Sequence, residues 1–95
     1  MKELHLDGTN WTSEDDFYDA FFKAVGAPTW HGRNFNALRD SIVNGAINMV
    51  ELPYTIYISG FRAMLPEVRA ILEDFCSLIK SLESEGHEVG VVCEE

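Results

Sequence analysis

The apolar positions change period several times along the chain, and each change marks an element. Residues Lys2 to Asp7 alternate, with Leu4 and Leu6 on one side, which predicts a short strand. Asp7-Gly8-Thr9-Asn10 is turn chemistry. Thr12 and Ser13 then precede Glu14, Asp15 and Asp16, a helix start in which carboxylates meet the positive end of the dipole. Phe17, Ala20, Phe21 and Ala24 recur at helical spacing, and Tyr18, Phe22 and Val25 widen the stripe. Gly26 and Pro28 end that helix.

A loop from Ala27 to Arg33 leads to a second helical pattern, with Phe35, Leu38 and Ile42 as its apolar side and Asn44-Gly45 at its close. Tyr54 to Ser59 form a β-rich run after Pro53, and Phe61 to Leu65 suit a short helical turn. Pro66 fits the first position of a longer helix, where its missing N–H would be unpaired anyway. Val68, Ile71, Leu72, Phe75, Ile79 and Leu82 keep the helical period, Gly86 stops it, and Val89 to Cys93 make a last strand. Strands separated by helical crossovers pair in parallel. The expectation is a single α/β domain over residues 1–95, a three-stranded parallel sheet packed with about four helices.

Composition narrows the function classes. Hydrophobic residues are 46% of 95, enough for one core and no second one. Sixteen Asp and Glu against seven Lys and Arg give a formal charge of −9. Nucleic acids and anionic membranes repel such a surface, because phosphate binding needs clustered Lys and Arg. A basic protein is its complementary partner, although acidity also serves solubility. No basic segment followed by an apolar run opens the chain, and no stretch reaches the ~20 apolar residues of a membrane span, so a cytoplasmic protein is expected. Cys76 and Cys93 are too few for a disulfide framework and read as free thiols.

Catalytic patterns are missing. Cys76 falls in an apolar helical stripe among acids, which favours a buried, inert thiol. His5, His31 and His87 belong to three separate elements without metal-ligand spacing. No glycine-rich loop opens a helix, and no nucleophile elbow occurs. Helix capping explains Glu14, Asp15 and Asp16, and a solvated helix face explains Glu73 and Asp74. Neither an enzyme, a cofactor nor a metal site is expected.

The unusual stretch runs from Trp30 to Gly45. Trp30-His31-Gly32-Arg33 puts an aromatic, an imidazole and a flexible glycine into a loop. On the next helix Asn36, Arg39, Asp40 and Val43 are spaced i, i+3, i+4, i+7, and form one outward strip opposite the apolar side. An aromatic anchor beside a carboxylate that can pair with Arg or His has the composition of a binding hot spot. Periodicity alone favours the plainer reading, a Trp30 folded back over the core beside an ordinary wet helix face. Asn34 likewise reads as a helix N-cap or a contact, and Gly32 as a turn or a contact.

The run Trp30-His31-Gly32-Arg33-Asn34-Phe35-Asn36-Ala37-Leu38-Arg39-Asp40-Ser41-Ile42 resembles the signature segment of barstar-type ribonuclease inhibitors. Element order, length and the Gly86 before the last strand extend the resemblance over nearly the whole chain. It implies an intracellular inhibitor, or immunity protein, that binds a basic ribonuclease toxin one to one and is a monomer when free. Asp40 would occupy the position of a substrate phosphate, and Trp30 would stack over a catalytic histidine. His31, Gly32, Asn34, Asn36, Arg39, Val43 and Asn44 would complete the contact surface.

Three positions depart from the family pattern. Asn36 is neutral where the family has an acid, and Arg39 replaces an aromatic and sets a cation beside Asp40, able to neutralise it or pair with it. Ser81 stands where the family has an acidic contact. These departures bear on which ribonuclease is bound. The alternative is a barstar-like interaction module for a basic protein that is not a ribonuclease.

Overall fold

Leu4 and Leu6 alternate with charged residues because one side of their strand is buried and the other wet. The computed structural model describes residues 2–27, 32, 34–43 and 52–94. Along these run β1 (Lys2–Asp7), α1 (Glu14–Val25), α2 (Phe35–Val43), β2 (Tyr54–Ser59), α3 (Pro66–Ser84) and β3 (Val89–Cys93). The strands form a parallel sheet in the order β1-β2-β3. The register aligns Leu4 with Ile56 and Ile56 with Val91, then Leu6 with Ile58 and Ile58 with Cys93. One side of the sheet therefore carries Leu4, Leu6, Tyr54, Ile56, Ile58 and Val89, all buried. On the other side His5 stacks on Tyr57, ring centroids 4.9 Å apart.

Helices α1 and α3 cover the apolar side. Phe17 and Phe21 of α1 meet the ring of Phe75 on α3 edge-on, at 4.9 and 5.6 Å. All three are fully buried, and such a side chain contributes about 1.5–3 kcal/mol through its removal from water. Val68, Leu72, Ile79 and Leu82 extend the same core along α3, and Leu38 and Ile42 root α2 in it.

Local chemistry sets the helix ends. Asp16 reaches back from the first turn of α1 to accept the backbone N–H groups of Thr12 at 2.8 Å and Ser13 at 3.3 Å. Gly26 closes α1 at φ +70°, and Ala27 N–H donates to the Phe22 carbonyl at 2.8 Å, satisfying an orphan helix carbonyl. Pro66 opens α3 as its sequence position predicts. One expectation is shortened: the helical turn over Phe61 to Leu65 is a single 3₁₀ turn at Phe61–Ala63. The described residues thus hold three α-helices where about four helices were expected.

Candidate functional site

The α2 strip begins with its cap. Asn34 Oδ1 accepts the Ala37 N–H at 2.8 Å, and the Asn34 carbonyl accepts Leu38 N–H at 3.0 Å, so its side chain satisfies one orphan donor of the first turn and its carbonyl takes the first intrahelical bond. Gly32 is exposed, and a Cβ there would come within 2.8 Å of the Asn34 amide nitrogen. That amide is fixed by its capping bond. A side chain at position 32 would push against it, so the glycine leaves room for the cap.

Past the cap, α2 divides into two faces. Leu38, Ser41 and Ile42 are buried, with Phe35 and Ala37 half-buried beside them. Asn36, Arg39, Asp40 and Val43 point the other way and are exposed. Burying one face fixes the rotation of the helix, and that fixes the outward direction of Asp40. Among the described residues nothing pairs with the Asp40 carboxylate. Trp30, His31 and Asn44, expected to flank this strip, lie outside the described residues.

Arg39 does not pair with its neighbour Asp40. Its Nη2 donates to Oε1 of Glu85 at 2.7 Å, across to the C-cap of α3. Both side chains are nearly half exposed, 46% and 47%, so the pair contributes about 0.2–1 kcal/mol. Sequence reasoning missed Glu85, which lies 46 positions from Arg39. Its one sequence signal is its place directly before Gly86, the glycine that precedes the last strand, with Ser81 one helical turn earlier. Ser81 is exposed and neutral, and its carbonyl accepts the Glu85 N–H at 3.1 Å.

At the N-terminal end of α2 a shallow, open depression is lined by Glu14 and Tyr18 of α1, Asn34 and Phe35, and Ala70, Ile71 and Asp74 of α3. Burial, with Glu14 and Asp15 nearby, pushes the Tyr18 phenol above its ordinary range. The depression thus carries two carboxylates, those of Glu14 and Asp74, beside the Tyr18 phenol. Among the described residues no three His, Cys, Asp or Glu side chains gather to hold a metal. No described helix is long and apolar enough to cross a membrane.

Comparison with curated proteins brings no match. A family model described as Barstar (barnase inhibitor) matches residues 1–94. With that match spanning the parallel sheet, its three helices and the α2 strip, the chain belongs to the barstar family.

Proposed function

We propose that residues 1–95 form a single barstar-like domain that inhibits a ribonuclease by occupying its active site, with Asp40 standing in for a substrate phosphate. The observation that carries this reading is the Asp40 carboxylate, exposed on a helix whose opposite face is locked in the core. A ribonuclease site is cationic because it holds phosphates, and a carboxylate on a chain of charge −9 matches it by sign. Inhibition on this basis needs occupancy and slow release, with no bond made or broken. The chain is then no enzyme, and acts in the cytoplasm of the cell that makes the nuclease.

In this reading Trp30 covers the catalytic histidine, while His31, Gly32, Asn36, Val43 and Asn44 surround Asp40 at the contact. Asn34 contributes chiefly by capping the helix that presents them. The free chain is a monomer and its complex a 1:1 heterodimer. Nucleic acid and membranes are not partners, for reasons of charge.

The test is a titration of a basic ribonuclease, taken from the same host, with increasing amounts of the chain. Activity should fall linearly and vanish at equimolar addition. Unchanged turnover of every basic host ribonuclease under excess chain would overturn the reading.

A further inference from the structure

The Sγ atoms of Cys76 and Cys93 lie 3.5 Å apart, though 17 positions separate them in sequence. Cys76 sits midway along α3, and Cys93 is the last residue of β3. The sequence predicts a buried, inert Cys76, and the structure differs. Phe75 and Ile79 carry the buried stripe, whereas Cys76 is on its flank, half-buried, between that stripe and the exposed Glu73, Ser77 and Lys80. Cys93 is likewise half-buried.

Both thiols are held in place by structure that does not depend on them. Glu94 N–H donates to the Ile58 carbonyl at 2.7 Å and Phe61 N–H to the Glu94 carbonyl at 3.1 Å, which anchors the backbone just past Cys93. Cys76 is carried by a helix of 19 residues that packs its apolar stripe into the core. A disulfide needs its sulfurs about 2.05 Å apart, so roughly 1.5 Å of closure is left to side-chain rotation and small shifts.

We propose that Cys76 and Cys93 are a reversible redox modification site, which a low-molecular-weight disulfide oxidises to an intramolecular disulfide stapling α3 to the end of β3. The Cys76 thiolate attacks one sulfur of the small disulfide; that S–S bond breaks and the first small thiolate leaves. Cys93 sulfur then attacks Cys76 Sγ and expels the second. Two electrons pass from the cysteines to the small molecule, and the two cysteine protons end on the two released thiols. The two sulfurs share one hydrogen bond in which either can be the donor; with Cys93 as donor, that bond, together with Lys80 one turn on, draws Cys76 down to about 7 against burial and Glu73, which makes Cys76 the first attacker. The same bond holds Cys93 protonated, well above its ordinary value.

The staple is remote from the α2 strip. Glu85, which Arg39 meets, lies nine residues beyond Cys76, about 13 Å along the helix. The inference therefore stands or falls apart from ribonuclease inhibition.

The experiment exposes the full chain to glutathione buffers of rising oxidised fraction, followed by intact-mass analysis and thermal unfolding. The expected product is a monomer lighter by the two thiol hydrogens, restored by dithiothreitol, with Tm raised on the order of 10 °C by the closed loop. Cys93→Ser should instead stop as a glutathione adduct on Cys76. A chain that stays reduced, ends as stable glutathione adducts, forms intermolecular dimers, or closes with a fall in Tm would overturn the proposal. The wild-type masses and Tm decide the matter even where the variant fails to fold.

Discussion

Arg39 is bound to Glu85, not to the carboxylate next to it. The 2.7 Å contact ties the middle of α2 to the C-cap of α3 and draws the one cation of the exposed strip to its border. Among the described residues Asp40 is then left without an intramolecular partner. With Glu85 counted in, the local balance of Arg39, Asp40 and Glu85 is one negative charge instead of zero.

Breaking this pair from either side should have opposite effects on binding. If the partner is the proposed basic nuclease, Arg39→Ala removes a cation that would repel it and frees the Glu85 carboxylate, so the association rate should rise a few-fold at low salt. Glu85→Gln removes an anion and releases the Arg39 guanidinium, so the rate should fall a few-fold. Stopped-flow association at two ionic strengths checks this, and shifts in the same direction would contradict it. Thermal unfolding of both single variants and the double variant should give a coupling below about 1 kcal/mol, as for an exposed pair.

Asp40 and Asp74 are both exposed carboxylates on helices, but only Asp40 is on the strip. On binding, Asp40 would lose its water and be met by cations buried with it. Its removal would strand those cations, at an expected cost of about 3 kcal/mol or more, or ~100-fold in affinity. Asp74→Ala should change affinity less than about 5-fold, as a charge at the rim. An inhibition titration that places the two variants together would reject Asp40 as the phosphate mimic.

Much of the fold was legible because its signals are local. Alternation at Leu4 and Leu6 set the side of β1, Pro66 and Gly86 bracketed α3, and helical crossovers between strands required parallel pairing. The three strand ranges coincide with those expected from sequence. What escaped depended on distant contacts. The sequence sets Arg39 directly beside Asp40, yet adjacent residues on a helix point in different directions and seldom meet. Its true partner needed the approach of α3 to α2, and the meeting of Cys76 with Cys93 needed the packing of α3 on β3. Asn34 was ambiguous between cap and contact until the Ala37 N–H bond showed its capping role.

Tyr54 opens the central strand fully buried, and among the described residues its hydroxyl has no hydrogen-bond partner. Burial also pushes its phenol far above the ordinary range, so it stays protonated. An unmatched buried hydroxyl costs free energy while the ring contributes packing. Tyr54→Phe should hold stability or raise it by about 1 kcal/mol in urea unfolding. A loss greater than that would mean the hydroxyl has a partner.

Gly60 ends β2 at φ +81°, and a Cβ there would fall 2.7 Å from the Thr9 backbone nitrogen and 2.8 Å from its Cα. Gly86 has φ +100° but nothing within 4 Å of an added Cβ. Both alanine variants incur backbone strain of about 1–3 kcal/mol, and only Gly60→Ala adds a collision with fixed main chain. It should therefore be the less stable of the two by at least ~1 kcal/mol. Equal losses would show that β1 and its turn yield freely at Thr9.

The start of α1 predicts a pH dependence. Asp16 carboxylate accepts Thr12 N–H at 2.8 Å, the Thr12 hydroxyl at 3.2 Å and Ser13 N–H at 3.3 Å. The Thr12 backbone bond is the main cause that holds its pKa below the ordinary 3.8, against partial desolvation. A carboxyl with a depressed folded pKa contributes stability that is complete above the unfolded value and disappears as pH falls through the folded one. Asp16→Ala should thus melt below the wild type at neutral pH, and the gap should narrow below about pH 4 as the wild-type carboxyl takes up its proton. Because Asp7 is depressed in the same way through Thr9, only the difference between the two proteins isolates Asp16. A gap of constant size from neutral to acid pH would show that packing at the helix start, not the ionised cap, accounts for the loss.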